Sequence, residues 1–171
     1  MRAKGVGFFA AAETWPYQPS QLGFGPVSGQ LKDDSCVAAC VLTLLQNQGR
    51  DDLYEAMLRA ALDIQGEGAL LSDAPHALLT FGSTVAWVYR DDLTLNDLKQ
   101  ALAKGPVIVA LRRSSLGSHA LLIDGIEADS YALIRDPLPE LTGSAYKVAL
   151  ETFLPAWLPE QSGRGRGVIV K

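Results

Sequence analysis

The sequence predicts an α+β fold with a largely antiparallel sheet, on three observations. Helical periodicity fills the first half of the chain and strand-like runs fill most of the second, without the βαβ alternation of a parallel sheet. Two of the later runs, around residues 119–126 and 131–135, are separated only by a short turn at Asp129–Ser130 and so form a hairpin. A chain of 171 residues that is 48% hydrophobic can bury one good core, and its length suits one domain better than two.

Residues 1–29 carry Gly, Pro, Ser and aromatics without a sustained period. They read as an irregular arm anchored by Trp15, Tyr17 and Phe24, leaving residues 30–171 as a single domain. A first helix is expected over 35–48, where Val37, Cys40, Val41, Leu44 and Leu45 recur at helical spacing and Gly49 stops the run. Asp33, Asp34 and Ser35 are N-cap and first-turn residue types for it. Asp51 or Asp52 caps a second helix with Leu53, Met57, Leu58, Ala61 and Leu62 on one face, ending before the Gly66–Gly68 turn. A third spans 72–81, with Pro75 in its first turn, where a missing N–H does no harm.

The pattern then changes. Residues 83–90, STVAWVYR, are β-branched and aromatic and read as a strand. Thr94 with Asp97 forms a capping box for a helix through Leu95, Leu98 and Leu102 to Gly105. Pro106 precedes a short buried strand at 107–111, and His119 opens another in HALLIDGI. A strand near 145–148, a short amphipathic helix over 150–157 and a final strand at 167–171 complete the domain.

Charge is mildly acidic, with 19 Asp and Glu against 15 Lys and Arg, so no basic field points to nucleic acid. The N-terminal MRAKGVGFFAAAETW imitates a bacterial signal peptide, but its apolar run of about eight residues is at the bottom of the h-region range. No run approaches the ~18 apolar residues of a membrane helix. Two cysteines four apart make a poor disulfide framework, and two reduced thiols place the domain in the cytoplasm, with delivery as part of a larger secreted protein as the alternative.

Those cysteines also bear on chemistry. Cys36 falls in the first turn of the first helix, where free backbone N–H groups and the helix dipole favour a thiolate and predict a lowered thiol pKa. Gln30, six residues upstream, carries an uncharged amide donor suited to an oxyanion hole. The base is one of two histidines. His119 opens an apolar strand after a Gly-Ser loop, whereas His76 sits on a short helix and reads as structural. Asp136 ends the neighbouring strand, where a hairpin returns it beside His119 to orient the imidazole; Asp124 is five residues from His119 and so on the opposite face. No cofactor is called for, and Cys36, Cys40 and His119 lack zinc-ligand spacing.

Gln30, then Cys36-Val-Ala-Ala-Cys40 on an apolar helix, Gly105-Pro106-Val-Ile-Val, Ser118-His119-Ala-Leu-Leu-Ile and Ile134-Arg135-Asp136-Pro137 together resemble the C39 family of papain-like cysteine peptidases, over about residues 30–157. The resemblance implies a papain-like fold with helices packed on the sheet. It implies Cys36 as nucleophile, His119 as general base, Asp136 as orienting acid, Gln30 as oxyanion donor and Cys40 as core. It further implies a peptide or protein substrate. Ser35 and Val37 depart from the family's aspartate and glycine around the nucleophile. Members cut leader peptides after a double glycine at the front of exporters, yet no Gly-Gly occurs in this sequence. Free-standing papain-like domains also resemble bacterial toxin or effector domains that deamidate, transglutaminate or cleave proteins and are held by an immunity protein. A further alternative is an inactive peptide-binding module.

Overall fold

The computed structural model of the protein describes residues 18–19, 29, 31–32, 34–66, 68–113, 117–137, 145–158 and 162–171. Its elements run β1 (Gln18–Pro19), α1 (Cys36–Asn47), α2 (Glu55–Ala61), a 3-10 turn (Leu71–Asp73), α3 (Ala74–Thr80), β2 (Trp87–Leu93), α4 (Leu95–Leu102), β3 (Val107–Arg113), β4 (Gly117–Glu127), β5 (Tyr131–Arg135), β6 (Ala145–Ala149), α5 (Leu150–Trp157) and β7 (Gly165–Val170). The strands form one sheet in the order β1-β6-β5-β4-β3-β7-β2, and every pairing described is antiparallel. The expected α+β class and its antiparallel sheet are therefore present.

Helices cover both faces of that sheet. Along β3 and β4 alternate residues point to opposite faces. Ile108, Ala110, Ala120 and Leu122 join the core under α1–α3, while Val107, Val109, Leu111, Leu121 and Ile123 join a second core with Phe153 and Trp157 of α5. Strands buried on both faces read as continuous apolar runs, which is what these two do. α1 lies deeper than its periodicity implied, since every residue from Cys36 to Leu45 is buried. A helix apolar on all sides has no solvent face to present.

Several boundaries differ from the sequence reading. α2 starts at Glu55 with Tyr54 as its cap residue, because the Asp52 carboxylate takes the Arg50 guanidinium instead, at 2.9 Å. Leu53, Leu58 and Leu62 are buried as expected, whereas Ala61 is exposed. β2 begins at Trp87 rather than Ser83. The Ser83 hydroxyl accepts from the Trp87 indole at 2.8 Å and from the Gln48 amide at 3.2 Å, folding the preceding residues into a turn. The capping box at α4 forms in full: Asp97 N–H donates to Thr94 Oγ1 at 3.1 Å and Thr94 N–H to Asp97 Oδ2 at 2.9 Å. β7 begins at Gly165, whose missing side chain makes room for Trp157; a Cβ there would lie 2.2 Å from the indole.

Most of the N-terminal arm lies outside the described residues. Its Gln18–Pro19 pair adds to the sheet edge beside Lys147 and Tyr146 of β6, a pairing the composition did not suggest. Among the described residues no helix is long and apolar enough to cross a membrane.

Candidate active site

Cys36 is the first residue of α1, and its side chain sits where the helix start meets β4. The local sequence builds this start in an unexpected way. Ser35 is the cap residue, yet its side chain makes no capping bond. Its hydroxyl, with the Asp34 carboxylate, instead faces the Arg59 guanidinium of α2. Asp34 Oδ2 also accepts from Arg59 Nη2 at 3.1 Å and from the Gly66 N–H at 3.0 Å. Arg59 holds the Asp34 carboxyl below its ordinary pKa. One turn earlier on α2, Glu55 accepts the Leu31 N–H at 2.9 Å, tying down the residue next to Gln30. Gln30 and Asp33 themselves lie outside the described residues, as do residues 114–116 of the loop before His119.

His119 and Asp136 are fully buried. Pairing of β4 with β5 puts Leu122 opposite Arg135, which carries Asp136 back toward the start of β4. There His119 Nε2 faces Asp136 Oδ1 at 2.8 Å. With the carboxylate ionised, the proton belongs on Nε2, so Nδ1 is the nitrogen that can take a proton from a thiol. Cys36 and His119 line one cavity of about 10 Å³, walled by Val37, Leu71, Ala110 and Ala120. That space is enough for about one water. A much larger hollow of about 470 Å³ lies between the Asp129–Tyr131 turn and α5, lined by neither cysteine nor histidine.

The remaining titratable residues sort themselves by partner. Asp124 sits at a register shift in the β4–β5 pairing, between Ile123 and Gly125, and accepts from Arg135 Nε and Nη2 at 2.7 Å. Burial raises its carboxyl, with Arg135 pulling the other way. His76 is exposed on α3 and does not line the cavity that holds Cys36 and His119. Cys40, one turn below Cys36, is buried core.

The expected lowering of the Cys36 pKa does not hold. Burial pushes this thiol up to about 11, and hydrogen bonding from the backbone of Ala120 and Val37 offsets only part of the rise. The nearby Asp136 carboxylate adds to it. A helix terminus contributes on the order of 1 kcal/mol, whereas removing an anion from water costs several. Desolvation wins, and the resting thiol is neutral.

Sequence reasoning missed two residues at this site. Arg59 is separated from Ser35 by 24 positions, and only the packing of α2 on α1 brings it there. Tyr146 of β6 donates its hydroxyl to Asp136 Oδ2 at 2.5 Å, and both groups are buried. The burial of β6 alternates and turns Tyr146 inward, but its partner depends on the β5–β6 register that sets Tyr146 opposite Ile134.

No family model matches the sequence, and no curated protein does. Solved structures do match in fold. A C39-like peptidase from Bacillus anthracis superposes with a TM-score of 0.66 at 15% identity, covering 90% of this chain and 98% of its own. The double glycine motif protease of an AMS/PCAT transporter, solved with its leader peptide, gives 0.64 at 18%, covering 90% and 96%. The peptidase domain of Streptococcus ComA, a bifunctional ABC transporter in a quorum-sensing pathway, gives 0.63 at 17%, covering 85% and 96%. The fold is that of the C39 peptidase domains. At such identity the likeness carries the architecture, and the chemistry has to be argued from the side chains.

Proposed function

We propose that the chain is a cysteine hydrolase acting on a peptide or protein amide bond, with Cys36 as nucleophile, His119 as base and Asp136 as the acid that orients it. The observation that carries the reading is the buried His119–Asp136 bond of 2.8 Å, with His119 lining the same cavity as a helix-start cysteine. In this reading His119 Nδ1 takes the thiol proton as Cys36 attacks the carbonyl, rather than holding a preformed ion pair. The Gln30 amide and the backbone N–H at Cys36 stabilise the oxyanion. The imidazolium then returns its proton to the leaving amine, and water resolves the thioester. A leader or other peptide is the substrate favoured by the fold; an amine or a side-chain amide in its place makes the same site a transglutaminase or a deamidase. An exporter or an immunity protein would be its partner accordingly.

One observation favours a second reading, a peptide-binding module without turnover. Cys36 is only 2% exposed and its cavity holds about one water. The two are separated by incubating the protein with a peptide library and reading cleavage by mass spectrometry. Products from wild type that vanish in Cys36→Ala and in His119→Ala support the hydrolase. No products, together with equal Cys36 alkylation in wild type and His119→Ala at every pH, would leave the binding module.

A further inference from the structure

We infer that Tyr146 is a positioning residue of this site, a fourth member that holds the Asp136 carboxylate in the orientation His119 needs; the inference rests on the hydrolase reading. Among the described residues, a donor faces each oxygen of Asp136. Oδ1 faces His119 Nε2 at 2.8 Å and Oδ2 accepts the Tyr146 hydroxyl at 2.5 Å. A hydroxyl bonded to an ionised carboxylate makes a stronger contact than a neutral pair does. A carboxylate anchored at one oxygen alone turns about its last torsion, which is broad and two-fold. A donor at each oxygen restricts that freedom.

The fold fixes this anchor from a different strand. Asp136 follows the end of β5, and Tyr146 stands on β6 opposite Ile134, two residues before Asp136. Its ring packs in the second core with Ile134 and Val148, so the hydroxyl is delivered by a rigid side chain from within the sheet. Tyr146, His119 and Asp136 are each no more than 1% exposed, which keeps water from replacing the phenol. A buried donor aimed at a buried carboxylate favours its ionised form and fixes its orientation, and costs little motion during reaction.

The test is Tyr146→Phe, which keeps the ring and deletes one atom. Two readouts are compared with wild type, His119→Ala and Asp136→Asn. The first is the downfield proton resonance of His119 Nε2–H, whose exchange with water should quicken roughly tenfold in Tyr146→Phe, as expected from losing a hydrogen bond to a charged group. The second is the His119-dependent part of the iodoacetamide rate at Cys36, which should fall by a similar factor. In the Asp136→Asn background Tyr146→Phe should have no further effect, because the phenol acts through that carboxylate. An unchanged resonance and an unchanged rate in folded Tyr146→Phe would overturn the inference while leaving the hydrolase reading intact. Absence of peptide cleavage together with absence of any His119-dependent rate in wild type would overturn the hydrolase reading instead, and the resonance would still decide the role of Tyr146. Should Tyr146→Phe not fold, 3-fluorotyrosine in the native chain replaces it: a more acidic phenol must shift the Nε2–H resonance, and no shift refutes the coupling.

Discussion

The reactivity of Cys36 follows from its burial and can be worked to a number. A free cysteine with pKa ~8.5 is about 3% thiolate at pH 7. Cys36, pushed up to about 11, has a thiolate fraction on the order of 10⁻⁴ at the same pH, about 300-fold less. A more basic thiolate is a better nucleophile, and a Brønsted slope of ~0.4–0.5 returns roughly tenfold of that loss. Native Cys36 should therefore react with iodoacetamide at pH 7 at least about tenfold more slowly than the same residue in urea, and the small cavity around it slows the reagent further. Peptide mapping by mass spectrometry, at Cys36 and Cys40 separately from pH 5 to 11, measures this directly. The rate should climb through the alkaline range, with Cys40 at least as slow, since burial raises its thiol well above normal too. Alkylation of native Cys36 below pH 7 as fast as in urea would refute the reasoning. The helix start and His119 would then outweigh desolvation, and the site in solution would be open.

Other outcomes follow from neighbouring contacts. Gln30→Ala should cost on the order of 10²–10³ in turnover of any peptide the wild type cleaves, if its amide holds the oxyanion. His76→Ala should leave both the His119-dependent alkylation rate and the melting temperature unchanged, since His76 is exposed on α3; a loss matching that of His119→Ala would break the assignment of the base. Arg59→Met leaves the Asp34 carboxylate, 10% exposed, without its partner and should cost about 3 kcal/mol. In a domain of this size that is roughly 6–12 °C in melting temperature. Because the Asp34 pKa is lowered in the folded state, this stability is present above ~3.9, the unfolded value, and is lost as pH falls through the folded value. The wild-type advantage over Arg59→Met, read by thermal melts, should accordingly shrink in acid; an advantage unaltered at pH 2 would show that the ion pair is not its source. Gly165→Ala drives a methyl into Trp157 and should lower the melting temperature by about 4–8 °C, for a cost of about 2 kcal/mol.

What the sequence determined by itself were the local features. Apolar spacing at Val37, Cys40, Val41, Leu44 and Leu45 fixes a helix, the Thr94–Asp97 pair fixes where another begins, and the Asp129–Ser130 turn fixes a hairpin. These depend on residues within one or two turns of each other, so their signal lies in the order of the letters. The hairpin also sufficed to place Asp136 beside His119, because its turn brings the end of one strand back to the start of the other. Charge balance across the molecule was not local. Ser35 and Asp34 were read as capping residues and turned out to face Arg59, which arrives from α2. Tyr146 reaches Asp136 only because β6 pairs with β5 in one register. The thiol pKa changed direction for the same reason: the helix start that favours a thiolate is written in residues 34–36, while the desolvation that opposes it is imposed by Leu71, Ala110 and Ala120, brought together by folding. Neighbours along the chain set the conformation of Cys36, and neighbours in space set its protonation.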